Sequence, residues 1–549
     1  MIMIPLHVHS YYSLMEGAVS VEGIIEKAKN FSLPAVALTD TNGMYGLIEF
    51  SKKAAGAKIK PLLGVYIDDP SDKKINAVFI AKNREGYADL CRIITSRKLL
   101  ESMPSAEDNF SLIKLLQNDF TNLFIITSSL QLLRNISLNE NRKKNIFVEL
   151  IAVKKYAGAA RNLYEFANSK KLPYVASNPV YFLNREDYIL HQVLRTISER
   201  GTIENISPDD PVDEKFYFKD PGELMQLWKN IPDAVSNTFY IAENCDVSLE
   251  IGKYKFPSFR RFNNFNDKDT FTTLWNLAFD GLYQRYPDNN SEAIDRLHQE
   301  LNVIFNLELT DYFLVVWDIL REAKKRGMMH IGRGSAANSI VSYCLGFTDI
   351  DPIKHNLFFE RFLNRSRSSP PDIDIDFSWK ERDEIIKYVF EKYGYDKVAM
   401  ISTHVTFRAR SAFREVAKVF GIPDTEITKK SKFIPWTDAR NLPDVPELFP
   451  EAKSLKFNDE PWKTIVNIAA KLANFPRHLS IHPGGIVIAP KPITNYVALE
   501  YAKNKGLGLI ITQPDMYGVE DLGLVKIDLL SQRSLGVLRD TIARIRVNS

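Results

Sequence analysis

The first 190 residues alternate short apolar runs with amphipathic stretches, and this alternation limits the folds open to the chain. The apolar runs are LPAVALTD (33–40), NAVFIAKN (76–83), NLFIITSS (122–129), NIFVELIA (145–152) and LPYVASN (172–178). Their lengths suit buried strands, and stretches such as SVEGIIEKAKNF (20–31) suit helices between them. Repeated strand–helix units predict a mainly parallel sheet or barrel, with functional groups at the carboxyl ends of strands. Asp40 and Asn178 lie at such ends, and Glu149 lies within its strand.

Length, charge and cysteine content bound the class of protein. At 549 residues the chain is long enough for several domains. A formal net charge of +3 neither demands nor excludes nucleic acid, so any basic surface must be local. The N-terminal sequence has no basic segment before an apolar core, and no run of about 18 apolar residues appears, so we expect neither a signal peptide nor a membrane span. The scattered Cys91, Cys245 and Cys344 predict a cytoplasmic protein without disulfides or a cysteine-based zinc site.

The stretch PPDIDIDF (370–377) alternates aspartate with apolar residues. In a strand, residues two apart share a face, so Asp372, Asp374 and Asp376 line one face and the apolar residues line the other. Hard cations such as Mg²⁺ prefer carboxylate oxygens, and a pair of them can activate an attacking hydroxyl and stabilise a leaving phosphate. The alternative is a solvated strand face whose charge is balanced by arginines, for which Arg361, Arg365 and Arg367 are available.

A glycine–serine loop, GRGSAANS (332–339), precedes this strand. Gly332 and Gly334 come before a predicted helix, with Ser335 as its expected N-cap. A helix N-terminus suits phosphate, although the same pattern also fits a glycine turn that caps an ordinary helix. A loop that holds a triphosphate, followed by a strand that holds metals, is what nucleotidyl transfer needs.

A third segment, VKIDLL (525–530), carries Lys526 and Asp528 on one face of a further predicted strand. The aspartate would complete a metal pair and the lysine would neutralise phosphate charge. A buried ion pair is the alternative interpretation of these two residues.

Taken together, these segments resemble the family of bacterial DNA polymerase III alpha subunits. The resemblance covers nearly the whole chain and rests on long motifs: HVHSYYSLMEG, ALTDTNGMYGLIEF, AKNREGY, GRGSAANSIVSYCLGFTDIDPI, LFFERFLN, PPDIDIDF, HPGGIVIAP and GLVKIDLL. GRGSAANS, the doubled proline and RHLSIHPGG are more similar to the accessory, error-prone branch than to the main replicase. Both a replicative and a translesion role stay open.

The resemblance implies a multidomain α/β and α+β protein. Its parts would be a distorted α/β barrel of the polymerase-and-histidinol-phosphatase (PHP) type, a palm like that of polymerase-beta nucleotidyltransferases, and a helical thumb. The implied boundaries are 1–254 for the PHP domain with a helical extension, 255–403 and 482–535 for the two parts of the palm, 404–481 for the thumb, and 536–549 for the start of truncated fingers.

By position, the resemblance also implies site residues. Asp372, Asp374 and Asp528 match the catalytic aspartates that bind two Mg²⁺, whereas Asp376 lies outside that set and is expected to be structural. The nucleotide-binding positions are Gly334, Ser335, Lys526 and Arg361. The implied reaction is attack by a primer 3′-hydroxyl on the α-phosphate of a deoxynucleoside triphosphate, with catalysis by positioning and charge neutralisation.

The N-terminal domain keeps only part of the PHP metal site that the resemblance implies. The retained candidates are His7, His9, Glu16, Asp40 and Glu149. Other expected ligand positions hold Thr41, Tyr66, Asn76, Pro179 and Tyr181. We therefore expect weak metal binding at this vestigial site, with Tyr66 and Tyr181 filling the vacated space, and a structural or partner-docking role.

The predicted thumb carries its cations at helical spacing. Arg410, Arg414 and Lys418 recur every four residues and share a face, which suits contact with the phosphates of a DNA duplex. A solvated helix face is the alternative. The segment ITKKSKF (427–433) adds further lysines.

Three functions remain in competition. A DNA-directed DNA polymerase would bind primer–template DNA and a deoxynucleoside triphosphate, a proofreading exonuclease at the PHP domain, and the sliding clamp only through regions beyond this sequence. The other two are a PHP-type metal-dependent phosphoesterase or exonuclease, and a non-catalytic scaffold. Because the family's fingers domain would follow Ser549, we expect this sequence alone to polymerise weakly or not at all.

Overall fold

The computed structural model describes residues 2–101, 109–205, 211–259, 269–288, 290–363, 371–502 and 509–548. They divide into two compact units. The first unit combines Met1–Leu249 with Thr403–Ser480, and the second combines Glu250–Ser402 with Ile481–Ser549. The predicted PHP, palm and thumb boundaries stay predictions. Within the described ranges, no helix is both long enough and apolar enough to cross a membrane.

The helices connect and cover the sheets. In chain order they are α1 Val21–Asn30, α2 Leu47–Gly56, α3 Arg84–Glu101, α4 Leu112–Leu115, α5 Leu130–Asn135, α6 Glu140–Lys143, α7 Ala157–Lys170, α8 Tyr188–Glu199, α9 Pro221–Trp228, α10 Pro232–Glu243, α11 Thr270–Arg285, α12 Ser291–Asn306, α13 Thr310–Lys325, α14 Ile340–Cys344, α15 Arg382–Tyr393, α16 Ala409–Val419, α17 Asp424–Ser431, α18 Val445–Leu448, α19 Trp462–Lys471, α20 Met516–Asp521 and α21 Arg533–Asn548. Short 3₁₀ turns lie at Lys154–Tyr156, Arg185–Asp187, Ile203–Asn205, Gly334–Asn338, Phe359–Arg361, Ala439–Asp444, Pro450–Ala452 and Ile493–Asn495.

A sheet of strands in chain order forms the centre of the first unit. The strands are β1 Ala35–Leu38, β2 Lys60–Asp68, β3 Asn76–Ala81, β4 Leu123–Thr127, β5 Ile146–Ile151 and β6 Tyr174–Ser177. The pairs β1–β2, β4–β5 and β5–β6 are parallel, and β3 runs antiparallel to both of its neighbours. The apolar runs therefore predicted five of these strands. The antiparallel direction of β3 departs from the parallel arrangement that the strand–helix repeat predicted, because no helix separates β3 from β2.

The N-terminal segment joins the two edges of this sheet. Ala37 N–H donates to Pro5 O (2.9 Å) and Thr39 N–H donates to Val8 O (2.8 Å), which ties the segment to β1. On its other side, His9 N–H donates to Val180 O (2.8 Å), just beyond β6. These bonds pair the backbone groups that sheet edges leave exposed, as barrel closure does. His7 and His9, which belong to this segment, are both buried.

A continuous apolar core holds residues 403–480 in the first unit. Phe182, Leu190 and Val193, from the end of the sheet and from α8, share this core with Phe413 and Trp462. Helix α16 packs on α8 and on α19. The alternation of buried and polar residues along α16 gives it the amphipathic face that this packing requires.

The second unit is built on a mixed sheet with the order β11-β12-β9-β10-β13-β8-β7. Its strands are β7 His330–Arg333, β8 Asp374–Ser378, β9 Val398–Thr406, β10 Pro476–Ile488, β11 Leu499–Tyr501, β12 Ile510–Asp515 and β13 Lys526–Gln532. Strand β10 starts well before the apolar run GGIVIAP by which we predicted it. Its first half alternates between exposed and half-buried residues, so it lacks the apolar run that marks a buried strand.

Candidate active site in the second unit

Strand register brings the three aspartates together. Strands β8 and β13 are parallel with Asp374 opposite Asp528, so both side chains leave the same face of the sheet. Asp372 lies two residues before Asp374 and on the same face. One carboxylate oxygen from each of the three aspartates lies within 4.8 Å of the others. Asp376 is outside this cluster, as predicted from the resemblance, and lies 3.3 Å from Arg333 Nε.

The apolar residues that alternate with the aspartates fix this arrangement. Ile373, Ile375 and Phe377 are fully buried behind the strand. A slip of one residue would bury the carboxylates and expose these side chains, so the register is strongly specified.

Lys526 neutralises part of the charge of the aspartates. Its ammonium lies 2.6 Å from Asp528 Oδ2 and 3.5 Å from Asp372 Oδ1. Burial opposes the charge of Lys526, but its hydrogen bond to Asp528 and the nearby carboxylates raise its pKa above the usual value. The ion pair of the alternative interpretation of VKIDLL is therefore present and lies within the carboxylate cluster, while the metal pair stays a prediction.

The carboxylates still carry more negative charge than one lysine balances. Burial, followed by the charges of Asp372 and Asp528, raises the pKa of Asp374 to about 6. Asp528 Oδ1 is buried and, among the described residues, has no hydrogen-bond donor. A divalent cation would satisfy this oxygen and offset the repulsion, so the residues present fit such an ion.

His482 lies beside Asp528 without donating to it. Its Nδ1 is 3.6 Å from Asp528 Oδ1 and accepts the Gly485 N–H at 2.7 Å. Burial lowers the pKa of His482 below its usual value, which favours the neutral ring that this hydrogen bond requires. We did not predict a role for His482. The motif HPGG placed it close to the strand but gave no indication of its partner.

The glycine–serine loop reaches the aspartates through Gly334. This residue has φ +72°, and a Cβ added there would lie 3.6 Å from Asp374 Oδ2. Ser335 follows in a 3₁₀ turn, Gly334–Asn338, rather than at the start of an α-helix. The prediction that Ser335 caps a helix is wrong, because α14 begins later and its N-cap is Ser339.

Buried Glu300 holds the far end of the loop. It accepts hydrogen bonds from Ser339 Oγ (2.7 Å) and from Val341 N–H (3.2 Å). Arg296 pairs with Glu300 and donates to Asn338 O at 2.6 Å. Neither residue was predicted, because a lone Glu and Arg one turn apart also fit an ordinary solvated helix face.

Besides Lys526, the arginines near the aspartates differ in part from our prediction. Arg361 is exposed in a 3₁₀ turn, and no ion pair with an aspartate is found for it in the described ranges. Arg365 and Arg367 lie outside those ranges. Arg333, inside the loop motif itself, pairs in register with Asp374 across β7 and β8. Its place in the loop motif is visible in the sequence, but its partner across the sheet is set by strand pairing.

The predicted PHP ligands occupy a closed hydrogen-bond network. His7 Nδ1 lies 2.7 Å from Glu149 Oε1, and His7 Nε2 lies 2.9 Å from His9 Nε2. Asp40 accepts from Ser10 and Ser13, and burial raises its pKa to about 7.

Two tyrosines cover the histidines of this network. The Tyr181 ring stacks on His9 with 4.0 Å between centroids, and the Tyr66 ring stacks on His7 at 5.2 Å. Glu16 is paired with Arg195 at 3.1 Å. Among the described residues, the only group that meets the geometry of a metal site is the aspartate cluster. The described contacts engage these side chains with one another, and the weak metal binding predicted for this site stays a prediction.

The cations of α16 share a face of the helix but differ in their hydrogen bonds and ion pairs. Arg414 donates to Asp424, Thr428 and Ser431, which fixes it against α17. Arg410 donates to Ile434 O and is otherwise exposed, and Lys418 is exposed at 4.0 Å from Glu415. Arg414 thus has structural contacts within the unit, and DNA contact stays a prediction for Arg410, Arg414 and Lys418.

Sequence comparisons match both parts of the chain. The family described as "Bacterial DNA polymerase III alpha NTPase domain" matches residues 272–531, and the "PHP domain" family matches residues 5–144. An "Error-prone DNA polymerase" of Symbiobacterium thermophilum is 33% identical over 99% of this chain and 52% of its own length. A "DNA polymerase III subunit alpha" of Borreliella burgdorferi is 35% identical over 99% of this chain and 49% of its own, and that of Escherichia coli K12 is 32% identical over 97% and 48%. The chain thus spans about half the length of the curated relatives it matches.

Proposed function

Because this chain belongs to the bacterial DNA polymerase III alpha family, we propose that its second unit is the palm of a DNA-directed DNA polymerase. The observation that carries the proposal is the meeting of Asp372, Asp374 and Asp528 on one sheet face, beside the glycine–serine loop. The substrates would be a primer–template duplex and a deoxynucleoside triphosphate.

Divalent cations, which we propose to be two Mg²⁺, would be held by the three aspartates. Bound there, such ions activate the attacking hydroxyl and neutralise charge on the leaving pyrophosphate. The unpaired Asp528 Oδ1 and the raised pKa of Asp374, which burial and the neighbouring carboxylates cause, support this assignment.

Residues of the chain would position the nucleotide. Gly334 leaves room for a phosphate close to Asp374, because a side chain there would fill that space. Ser335, Lys526 and Arg361 are proposed to contact the triphosphate, and we add Arg333 because it lies opposite Asp374. Catalysis would then rest on fixed charges rather than on a covalent intermediate.

Other partners and the cellular role follow only from the family. A proofreading exonuclease at the N-terminal unit, a sliding clamp and a cytoplasmic location are parts of the proposal. Named relatives include both an error-prone polymerase and polymerase III alpha subunits, so replication and translesion synthesis remain equal options.

The contacts of the predicted metal ligands disfavour phosphoesterase activity of the N-terminal unit. His7, His9 and Glu149 bond to one another, and Tyr66 and Tyr181 cover the histidine rings. A docking or scaffold role for this unit fits the filled site.

Primer extension tests the proposal. The full-length gene product should extend a labelled primer in Mg²⁺. The Asp372→Asn/Asp374→Asn double variant should extend the primer at least about 10³-fold more slowly. Asp383→Asn is a matched control, because Asp383 is an exposed carboxylate of the same unit that lies outside the cluster. If the folded double variant still extended the primer, the proposal that these aspartates form the catalytic site would be wrong.

A further inference from the structure

Two exposed aromatic rings lie beside basic residues on the first unit. Trp436 is 77% exposed and Phe433 is 48% exposed. Three exposed cations lie next to these rings. Lys432 is on the same turn, and Arg408 and Arg410 are at the start of α16. We call these five residues the aromatic–basic patch. An exposed tryptophan of this kind is unusual, because most of its apolar surface stays in water.

The patch is held in place by its backbone. Ile434, between the two aromatic residues, is fully buried in the core of the first unit. Arg410 Nη2 donates to Ile434 O at 2.6 Å, and Ala409 N–H donates to Thr437 O at 3.3 Å. The two rings therefore project from a turn that is anchored on both sides.

The cations of the patch keep their charge available. Arg408 donates to the neutral amide oxygen of Asn474 at 3.1 Å, and Arg410 donates to a backbone carbonyl. In the part of the chain that the structure describes, no carboxylate lies within ion-pair distance of Arg408, Arg410 or Lys432. The nearby carboxylate of Asp438 is already paired with Arg440 at 3.0 Å.

We propose that the aromatic–basic patch binds single-stranded nucleic acid, with Trp436 and Phe433 stacking on unpaired bases and the three cations contacting phosphates. Aromatic faces next to unpaired cations are the two elements that sequence-tolerant single-strand binding combines. An apolar protein partner fits less well, since the rings are bordered by positive charge. This inference rests on the proposed function, because it assigns the polymerase a site for the unpaired part of its template or product.

Intrinsic fluorescence tests the stacking. Titration of the chain with short oligodeoxythymidylate should quench Trp436, and the quenching should disappear in Trp436→Phe while affinity stays close to that of the parent. Trp436→Ala and Phe433→Ala should each weaken binding at least about 5-fold, the loss expected for one stacked base. Leu448→Ala, at a 56% exposed apolar residue of the same unit, is the matched control and should change nothing.

Salt dependence tests the phosphate contacts. Arg408→Gln and Lys432→Gln should each reduce the slope of log affinity against log salt by about 0.7, the value for one phosphate contact on a single strand. Arg410 is left intact because it anchors the turn.

Several results would overturn the inference. They are undetectable oligonucleotide binding at low salt, unchanged affinity in both alanine variants, or equal quenching by heparin, which has charge but no bases. Unchanged affinity in the alanine variants would also leave a protein partner as the occupant of the patch. None of these results bears on metal binding by the three aspartates or on primer extension in the double variant, so failure of the patch and failure of the polymerase proposal are distinguishable.

Discussion

Lys526 sets the charge balance among the aspartates. Its side chain is 11% exposed, and its ammonium lies close to two of the three carboxylates, where a bound cation would also lie. A divalent ion that binds the cluster must compete with these ion pairs. The lysine therefore both stabilises the metal-free state and opposes metal binding.

Replacement of Lys526 by Gln should lower stability without metal and strengthen metal binding. Three carboxylates without a cation repel one another, so we expect the melting temperature in EDTA to fall by several degrees, while Mn²⁺ affinity rises about 10-fold or more. Thermal melts and Mn²⁺ titration by electron paramagnetic resonance measure both. Lys380→Gln is the control, because Lys380 also lies 2.6 Å from a carboxylate, that of Asp540, but is 40% exposed and should matter little. Weaker Mn²⁺ binding in Lys526→Gln would show that the lysine does not compete with the metal.

Metal affinity should depend on pH through Asp374. Burial and the two neighbouring carboxylates raise the pKa of this residue to about 6, so below that pH a proton occupies a ligand oxygen. The affinity for Mn²⁺ should be constant above about pH 7 and fall about 10-fold for each pH unit below 6. Isothermal titration across this range measures it, and constant affinity down to pH 4.5 would contradict the raised pKa.

Sequence spacing predicted which aspartates share a face, but it did not predict their neighbours across the sheet. The period of two predicted that Asp372 and Asp374 share a face, and the two carboxylates do lie close together although β8 begins only at Asp374. The pairing of Asp374 with Asp528 joins segments far apart in the chain, and no local spacing predicts which residues face each other across the two strands. Arg333 and His482 were missed because their roles arise from strand pairing and backbone hydrogen bonds rather than from local spacing.

At the scale of elements, β7 lies very close to the backbone of Phe347, and the closest approach is at Gly332. A Cβ at this position would fall 2.0 Å from Phe347 O. Since that carbonyl belongs to the backbone, it cannot move aside as a flexible side chain would. Glycine is thus required where the strand enters the glycine–serine loop.

Gly332→Ala should destabilise the second unit by about 3 kcal/mol or more, because the clash must shift β7 or the loop. Urea unfolding monitored by hydrogen exchange in β8 measures this loss. Gly158→Ala is the control, since no atom lies within 4 Å of an added Cβ there, and helix propensity favours alanine. Equal stability of the two variants would show that the approach at Gly332 relaxes freely.

The predicted fold class is confirmed, and the errors lie in details set by tertiary contacts. Five apolar runs became strands of the first sheet, whose edges the N-terminal segment joins. The reversed direction of β3, the early start of β10 and the 3₁₀ turn at Ser335 were not predictable from apolar runs and cap residues. Each is fixed by pairing or packing partners distant in sequence.

At the scale of the whole molecule, residues 1–249 and 403–480 share one core and should unfold together. Phe413→Ala removes a fully buried ring that contacts Phe457 and Trp462, with centroids at 5.6 and 5.7 Å. We expect a loss of about 3–5 kcal/mol. Hydrogen exchange should rise in α8 as well as in α19, whereas Leu448→Ala should leave both unchanged. Faster exchange confined to residues 403–480 would contradict a shared core.

We propose that metal chemistry belongs to the three aspartates and not to the histidines of the N-terminal unit. Anomalous diffraction at the manganese edge, from crystals of this chain soaked in Mn²⁺, would locate the bound metal. We expect the strongest peak between Asp372, Asp374 and Asp528, its loss in Asp528→Asn, and no peak near His7 and His9. A peak at the histidines with none at the aspartates would contradict the polymerase assignment and support a PHP-type phosphoesterase.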